Sequence, residues 1–155
     1  MAAAARPCLL GRRCGKATMD IEPITDADVE AVVALWGRCG LLRPWNDPRR
    51  YIALARGAAD AGVLVGREDG RLVTAAMVGF DGHRGWIYYF AVDPHSQRKG
   101  FGRAMTAACE DWLRARGAPK MMAMVRTTNT AVLGFYEALG FEDQESVVMG
   151  KWLRE

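Results

Sequence analysis

The amino-acid sequence predicts a mixed α/β (α+β) fold, in which a central sheet of antiparallel and parallel strands is flanked by about four helices. Half of the 155 residues are hydrophobic, which is enough for one domain with a real core. Three consecutive strand patterns are joined by Asp-Gly dipeptides, which are typical of hairpin turns. Helix and strand patterns then alternate, as expected for a right-handed crossover between parallel strands.

The first 18 residues differ in composition from the rest of the chain, since they hold four basic residues and no acid. We interpret residues 1–18 as a disordered leader or an over-extended start, and residues 19–155 as one domain; a transit peptide is the alternative. The remainder is close to neutral and has no basic face, so we expect no nucleic-acid partner. No apolar run is long enough to span a membrane, and we expect a cytoplasmic protein with reduced thiols.

The first half of the chain is predicted to form a short strand and two helices. The strand covers residues 20–24, and Thr25 to Asp28 resembles a capping box in which Asp replaces the usual Glu. Apolar residues at helical spacing then continue to Arg38. A second helix is predicted over residues 48–56, after the loop Trp45-Asn46-Asp47-Pro48.

The second half is predicted to form strands and helices in alternation after a three-stranded meander. Asn129 can cap the last helix and Gly140 can end it. The predicted strands cover residues 62–67, 71–80, 86–92, 120–125 and 147–153, and the predicted helices cover residues 103–116 and 130–139.

A glycine-rich basic turn between a strand and a helix predicts a site for a pyrophosphate. The turn follows Asp93-Pro94, and Gly100 and Gly102 allow close approach of the backbone to a phosphate because they have no Cβ. A Walker A loop would need Gly-Lys-Ser/Thr at its end, whereas Phe101 follows Gly100 here. A dinucleotide fingerprint would need a small residue where Met105 stands.

Two motifs resemble those of a known superfamily. Ala-Val-Asp-Pro followed by Gln97-x-x-Gly100-x-Gly102 resembles motif A of the GNAT superfamily of acetyl-CoA-dependent N-acetyltransferases. The stretch from Asn129 through Phe-Tyr136 to Leu-Gly-Phe141 is similar to that family's second signature. The resemblance runs from about residue 20 to the C-terminus and is strongest to the YpeA-type branch, relatives of the ribosomal-protein alanine N-acetyltransferases.

This resemblance implies a GNAT fold and an enzyme that moves an acetyl group from acetyl-CoA, as co-substrate, to a primary amine by direct attack in a ternary complex, without a metal. One backbone N–H on the strand that ends at Val92 would polarise the thioester, and Tyr136 would protonate the departing CoA thiolate. Without the motif, Tyr136 would be interpreted as a core aromatic. The residues implied to bind the cofactor are Phe90, Ala91, Val92, Gln97, Arg98, Lys99, Gly100, Phe101, Gly102, Arg103 and Asn129.

One position departs from the family pattern. The ribosomal-protein relatives have a Glu as general base where this chain has Met124. Because an amine is almost fully protonated at neutral pH, its proton needs another route. The candidates are a water chain or the side chains of Asp47, Tyr88, Tyr89, Asp93 and His95. Cys109 lies on a predicted core face and is a poor candidate for a nucleophile.

The acceptor side of the site is predicted at Trp45, Asn46, Asp47 and Tyr88. Turn and helix-capping chemistry explains the first three equally well. We expect the acceptor to be a protein N-terminus, a lysine or a small amine, and the protein to be a monomer or a homodimer. The alternative function is a CoA-binding sensor or interaction module with little or no catalysis; a nucleotide-binding protein unrelated to CoA is a third.

Overall fold

The computed structural model of the chain describes residues 12–14 and 17–153. These residues divide into two compact units, the first ending at Met124 and the second beginning at Val125. The first unit contains six strands and three α-helices, in the order β1 (Arg12–Cys14), β2 (Ala17–Pro23), α1 (Val29–Arg38), α2 (Pro48–Gly57), β3 (Ala61–Glu68), β4 (Arg71–Phe80), β5 (Gly85–Val92), α3 (Phe101–Arg114) and β6 (Met121–Ala123). The second unit contains α4 (Thr130–Glu137).

The sheet has the mixed topology that the sequence predicts. Its six strands lie side by side in chain order, and every neighbouring pair is antiparallel except β5 and β6. The parallel pair is joined through α3, as expected for a crossover connection. The predicted fold class is therefore confirmed.

The two faces of the sheet carry different helices. Val32, Leu35 and Trp36 of α1 are buried in one core cluster with the inward residues of β3, which include Val63 and Val65. The opposite face of β3 lies against α3, because a Cβ on Gly62 would be 3.7 Å from the ring of Trp112. This alternation along one strand is what a sheet covered on both faces requires.

The predicted capping box at the start of α1 is present, and a short 3₁₀ turn (Asp26–Asp28) lies between the cap and the helix. Oδ2 of Asp28 accepts hydrogen bonds from the backbone N–H of Thr25 at 2.9 Å and from its hydroxyl at 2.8 Å. Arg67 donates to the other carboxylate oxygen. Asp therefore performs the role that Glu or Gln has in the usual motif.

Several predicted bounds differ from the structure. No strand forms over residues 147–153, so that prediction is wrong: Val147, Met149 and Leu153 are 90% or more exposed. Residues with a high strand propensity form a strand only where a neighbouring backbone completes their hydrogen bonds. β6 covers three residues instead of the predicted six, and β1 and the start of β2 fall within the predicted leader. Residues 1–11, 15 and 16 of the leader lie outside the described residues, and the domain boundary at residue 19 stays a prediction.

Helices of the described residues are too short to cross a bilayer, since the longest, α3, has 14 residues.

Candidate functional site

The edge of β5 that faces β6 is open along most of its length. The two strands pair at three positions, from Gly85 with Met121 to Ile87 with Ala123. In the described part of the first unit, residues 88–92 continue without a strand on that side. This stretch contains Phe90, Ala91 and Val92, and a strand edge that has no neighbouring strand is suited to pairing with an extended ligand.

A β-bulge interrupts the pairing of β5 with β4 at the start of this stretch. Met77 pairs with Tyr88 and Ala75 with Ala91, so Ala76 faces both Tyr89 and Phe90. Tyr89 adopts a φ of 49°, which is a costly conformation for a bulky side chain. Such a bulge turns backbone groups and one side chain away from the regular ladder.

The turn after β5 brings unused backbone N–H groups to one point. Arg98 and Gly100 have φ values of 62° and 86°, and Gly100 is the N-cap of α3. The first intrahelical bond runs from the N–H of Ala104 to the carbonyl of Gly100 at 3.0 Å. The N–H groups of residues 101–103 therefore precede the first helical bond, which is the arrangement that binds anions at helix N-termini.

The charged side chains of this turn are not equivalent. Nζ of Lys99 lies 3.5 Å from a carboxylate oxygen of Glu68, so part of its charge is already balanced by β3. Arg98 and Arg103 have no carboxylate partner within the range of the chain that the structure covers. The two arginines are thus the cations that an added phosphate would neutralise most effectively.

Asp93 lies fully buried between β5 and this turn. Its carboxylate accepts from Nη2 of Arg38 at 2.9 Å, from Nη2 of Arg71 at 3.3 Å and from the N–H of His95 at 2.9 Å. Burial opposes ionisation, but the bonds from His95 and Arg38 outweigh it and hold the pKa of Asp93 below its ordinary value. An ionised carboxylate that is held by two cations is a poor general base.

Two carbonyl groups on the open strand already have partners. The carbonyl of Ala91 accepts from the hydroxyl of Thr74 at 2.7 Å, and that of Val92 accepts from Sγ of Cys39 at 3.3 Å. Nε2 of Gln97 lies 3.5 Å from the Val92 carbonyl, at the limit of a hydrogen bond. A carbonyl oxygen has two lone pairs, so the Val92 carbonyl is fully engaged when Cys39 and Gln97 both donate to it.

The other candidates for the proton route have different surroundings. Burial raises the pKa values of Tyr88 and Tyr89, so both phenols stay protonated at neutral pH. Oδ1 of Asp47 accepts from the N–H groups of Arg49 and Arg50, at 3.1 and 3.2 Å, and so caps α2. His95 is exposed, as is Met124, which follows the end of β6.

A cluster of Asn46, Tyr51 and Tyr89, which we call the tyrosine cluster, forms where α1 and α2 meet β5. The hydroxyl of Tyr51 donates to Oδ1 of Asn46 at 3.3 Å. Burial raises the pKa of the Tyr89 phenol, and the nearby amide of Asn46 acts against that rise. The ring of Tyr89 stacks on Trp36, with 4.4 Å between centroids. The side chain of Tyr89 therefore lies beside the predicted acceptor loop.

The other predicted acceptor residues are placed differently. The ring of Tyr88 stacks on Trp86 at 6.3 Å, whereas Trp45 is half exposed at the surface of the loop. Tyr51 was missed by sequence reasoning, although its place in the first turn of α2, four residues after the N-cap Asp47, puts it beside that loop. Tyr89 takes part because of the bulge, for which the sequence gives no signal.

The second unit holds Asn129 and Tyr136. Asn129 stands at the N-cap of α4, as predicted, but its side chain caps no N–H of the helix. Tyr136 is buried, and its ring lies 5.2 Å from Phe135 and 4.9 Å from Phe141 between centroids. Gly140 adopts a φ of 87° just after the helix, as expected for a helix-ending glycine. Among the described residues, no group of three His, Cys, Asp or Glu could hold a metal ion.

Comparisons with known proteins agree with these features. The model of the acetyltransferase (GNAT) family matches residues 26–141. Acetyltransferase YE1169 of Yersinia enterocolitica is 42% identical over 135 residues, which cover 87% of this chain and 96% of that protein. An uncharacterised N-acetyltransferase of Yersinia pestis has the same identity and coverage. An acetyltransferase of Clostridium acetobutylicum, solved with acetyl-CoA, shares the fold with a TM-score of 0.70 at 16% identity, covering 86% of this chain and 96% of the other.

The chain therefore belongs to the GNAT family and is an N-acetyltransferase.

Proposed function

We propose that the protein transfers an acetyl group from acetyl-CoA to a primary amine by direct attack within a ternary complex. The observation that carries this proposal is the open edge of β5, which leads directly into the turn with unused N–H groups. An extended pantetheine arm would pair with Phe90, Ala91 and Val92, and the pyrophosphate would lie against residues 98–103. Gln97 is a further proposed cofactor contact, and the sequence motif alone assigns the same role to Asn129.

Each part of the reaction then has a group of this chain assigned to it. The amine nitrogen attacks the thioester carbonyl, and a backbone N–H of the bulged stretch donates to the oxygen as negative charge develops there. The C–S bond breaks, and the hydroxyl of Tyr136 gives its proton to the CoA sulfur. Neither Cys39 nor Cys109 is suited to form an acyl-enzyme, because burial raises the pKa of Cys109 to about 12 and Cys39 is engaged with the Val92 carbonyl.

The proton of the incoming amine leaves through solvent in this proposal. Asp93 is paired with two arginines and Asp47 caps α2, so neither carboxylate is available as a base. The phenols of Tyr88 and Tyr89 have raised pKa values, so neither accepts a proton readily. We therefore expect the rate to rise with pH as more of the acceptor becomes neutral.

The finer assignment follows the sequence motifs. We propose that the protein belongs to the YpeA-type branch, works in the cytoplasm and uses acetyl-CoA without a metal, as a monomer or homodimer. The relatives from Yersinia are named only as acetyltransferases, and the acceptor has to be inferred from the site itself.

The experiment follows free thiol while the protein is mixed with acetyl-CoA and a panel of primary amines. Tyr136→Phe should lower kcat by about 10²–10⁴ and leave the Kd for acetyl-CoA nearly unchanged. Phe135→Leu, which changes the aromatic ring beside Tyr136 and removes no hydroxyl, serves as the matched control and should keep its rate.

The opposite result favours the second candidate function. Met124 stands where related enzymes have a Glu, and this departure favours a CoA-binding sensor with little or no catalysis. Saturable binding of CoA in calorimetry, together with no thiol release above background for any amine, would establish the sensor. If CoA does not bind and no thiol is released, the assignment of residues 98–103 as the pyrophosphate site is refuted.

A further inference from the structure

Arg43 is held beside the tyrosine cluster by its own backbone contacts. Its Nη1 donates to the carbonyls of Gly40 and Leu42, both at 2.8 Å, just after the end of α1. Among the described residues, no hydrogen bond engages its Nε or Nη2 and no carboxylate pairs with it. The guanidinium is thus positioned with one face of its donor fork unused.

The same residue reaches the cluster through its main chain and its charge. The N–H of Asn46 donates to the carbonyl of Arg43 at 3.0 Å, which places Arg43 one turn from the amide that binds Tyr51. Burial raises the pKa of the Tyr89 phenol, and the charge of Arg43 acts against that rise. The ring of Tyr89 stacks on Trp36, whose carbonyl accepts from the N–H of Leu41 at 2.9 Å, so Tyr89 and the segment that holds Arg43 lie at the same end of α1.

The carboxylates of the neighbouring helices are already engaged. Glu30 is bound bidentately by Arg49, with distances of 2.8 and 2.7 Å. Asp47 caps α2, and Asp93 is paired with Arg38 and Arg71. The cluster thus combines amide and phenol donors with a positive charge and lacks a spare anion among the described residues. An acceptor rich in positive charge would find repulsion there, whereas an acidic acceptor would find a partner.

We propose that Arg43 is a specificity-determining residue that selects primary amines carrying a carboxylate, with the phenol of Tyr89 as a second donor to that group. The inference rests on the proposed acetyl transfer and narrows its acceptor class to amino acids and similar acids. A bidentate bond from guanidinium to carboxylate supplies both the attraction and the orientation. Polyamines and other polycationic amines are poor acceptors on this view.

The test compares each acceptor with two analogues of equal length. Amino acids with the amine at the α, β and γ positions are measured against their amides and against the corresponding diamines. The wild-type protein should favour at least one carboxylate over its amide by about 10-fold or more in kcat/KM, since a hydrogen bond to a charged group is stronger than one to a neutral group. Equal or better use of the amides and diamines would overturn the proposal.

The variants separate specificity from a merely structural role. Arg43→Gln should raise KM for the preferred carboxylate by about the same factor and leave KM for acetyl-CoA and the rates with amides unchanged. Arg43→Glu should favour the diamine. Arg50→Gln, which removes an exposed arginine of α2, is the control and should change neither preference. A lower Tm for Arg43→Gln with the original preference intact would show that Arg43 only stabilises the loop after α1, and would refute the proposal.

A binding measurement keeps the inference testable if no amine turns over. In the presence of CoA, the preferred amino acid should raise Tm for the wild-type protein and for Arg50→Gln, but not for Arg43→Gln. Thiol release from none of the amines, together with this pattern, would refute the transfer reaction and leave the carboxylate site standing. No Arg43-dependent shift with any amino acid would refute the site.

Discussion

Nη2 of Arg38 lies 2.9 Å from Oδ2 of Asp93, and this bond joins the last residue of α1 to the residue that follows β5. Arg71, at the start of β4, reaches the same oxygen at 3.3 Å. The carboxylate is fully buried while both arginines are about half exposed. Asp93 therefore connects a helix and two strands at the point where the pyrophosphate turn begins.

Asp93→Asn should destabilise the first unit. The amide keeps the shape but removes the charge that two guanidinium groups share, and it can no longer satisfy every donor around it. Because both arginines can turn to solvent, we expect a loss of about 1–3 kcal/mol in the free energy of unfolding. Urea denaturation measures it. Asp111→Asn, at an exposed i,i+3 pair on α3, is the control and should cost less than about 0.5 kcal/mol; equal losses for the two variants would contradict the argument.

The lowered pKa of Asp93 also predicts how the free energy of unfolding depends on pH. The pKa of Asp93 is lower in the folded protein than in the unfolded chain, so the stability it contributes is present above the unfolded value of about 3.9. That stability is lost as pH falls through the lower, folded pKa. The difference in unfolding free energy between the wild-type protein and Asp93→Asn should therefore be constant near neutral pH and shrink below about pH 4. A difference that grows on acidification would refute the ion pair.

Gly100→Ala should weaken acetyl-CoA binding more than it weakens folding. Gly100 has a φ of 86°, so an added Cβ costs about 1 kcal/mol or more in backbone strain. The new methyl group would also stand where the pyrophosphate is proposed to lie. Gly117→Ala is the matched control: its φ is 80°, it follows the other end of the same helix, and a Cβ there meets no atom of the described chain within 4 Å. Calorimetry should show a raised Kd for Gly100→Ala alone.

Gly85→Ala tests the packing of α3 on the sheet. A Cβ on Gly85 would lie 2.5 Å from Cδ1 and 2.7 Å from Cδ2 of Leu113, which is itself buried. Since the leucine has little room to move, we expect a loss of about 1–3 kcal/mol. Gly57→Ala at the end of α2 meets nothing within 4 Å and should be neutral or slightly stabilising.

A double mutant identifies the contact behind that loss. In a Leu113→Ala background, the space for the new methyl group already exists, so Gly85→Ala should cost much less than it does alone. Additive losses, measured by denaturation of all four proteins, would mean that the leucine is not the obstacle.

Thiol labelling should separate the cysteines. Burial raises the pKa of Cys109 to about 12, so its thiolate is scarce at neutral pH and iodoacetamide should not reach it in the folded protein. Cys39 has a raised pKa from partial burial and from the charge of Asp93, and it should react slowly. Peptide mapping by mass spectrometry, with a urea-unfolded sample as reference, measures both. Rapid native labelling of Cys109 would show that α3 is not packed as described.

Local signals in the sequence predict much of the first unit because they act through neighbouring residues. Thr25 with Asp28 marks the start of α1, Asp47-Pro48 marks the start of α2, and Asp69-Gly70 marks a hairpin turn. These local signals do not predict which strands pair over long distances in the sequence. Residues 147–153 have the composition of a strand, but whether a strand forms depends on a neighbouring backbone.

The candidate site also has one part that local sequence signals predict and one part that depends on long-range contacts. The turn over residues 98–103, where we propose that a pyrophosphate binds, is predicted from its glycines and its place before α3, and these are local features. The tyrosine cluster depends on the bulge at Tyr89 and on the approach of Tyr51 from another helix, which no spacing in the sequence encodes. Arg43 can be proposed as a carboxylate-binding residue only because the surrounding acidic residues already have partners, and those pairings are a property of the folded chain.

The exposed residues near the C-terminus have a practical consequence for handling the protein. Val147, Met149 and Leu153 remain in water, where each square ångström of hydrocarbon carries a free-energy cost of about 25 cal/mol. Sulfate salts increase that free-energy cost because they are excluded from protein surfaces. Precipitation by ammonium sulfate should thus begin earlier than for a variant with serine at these three places, and storage buffers of low salt should keep the material in solution longer.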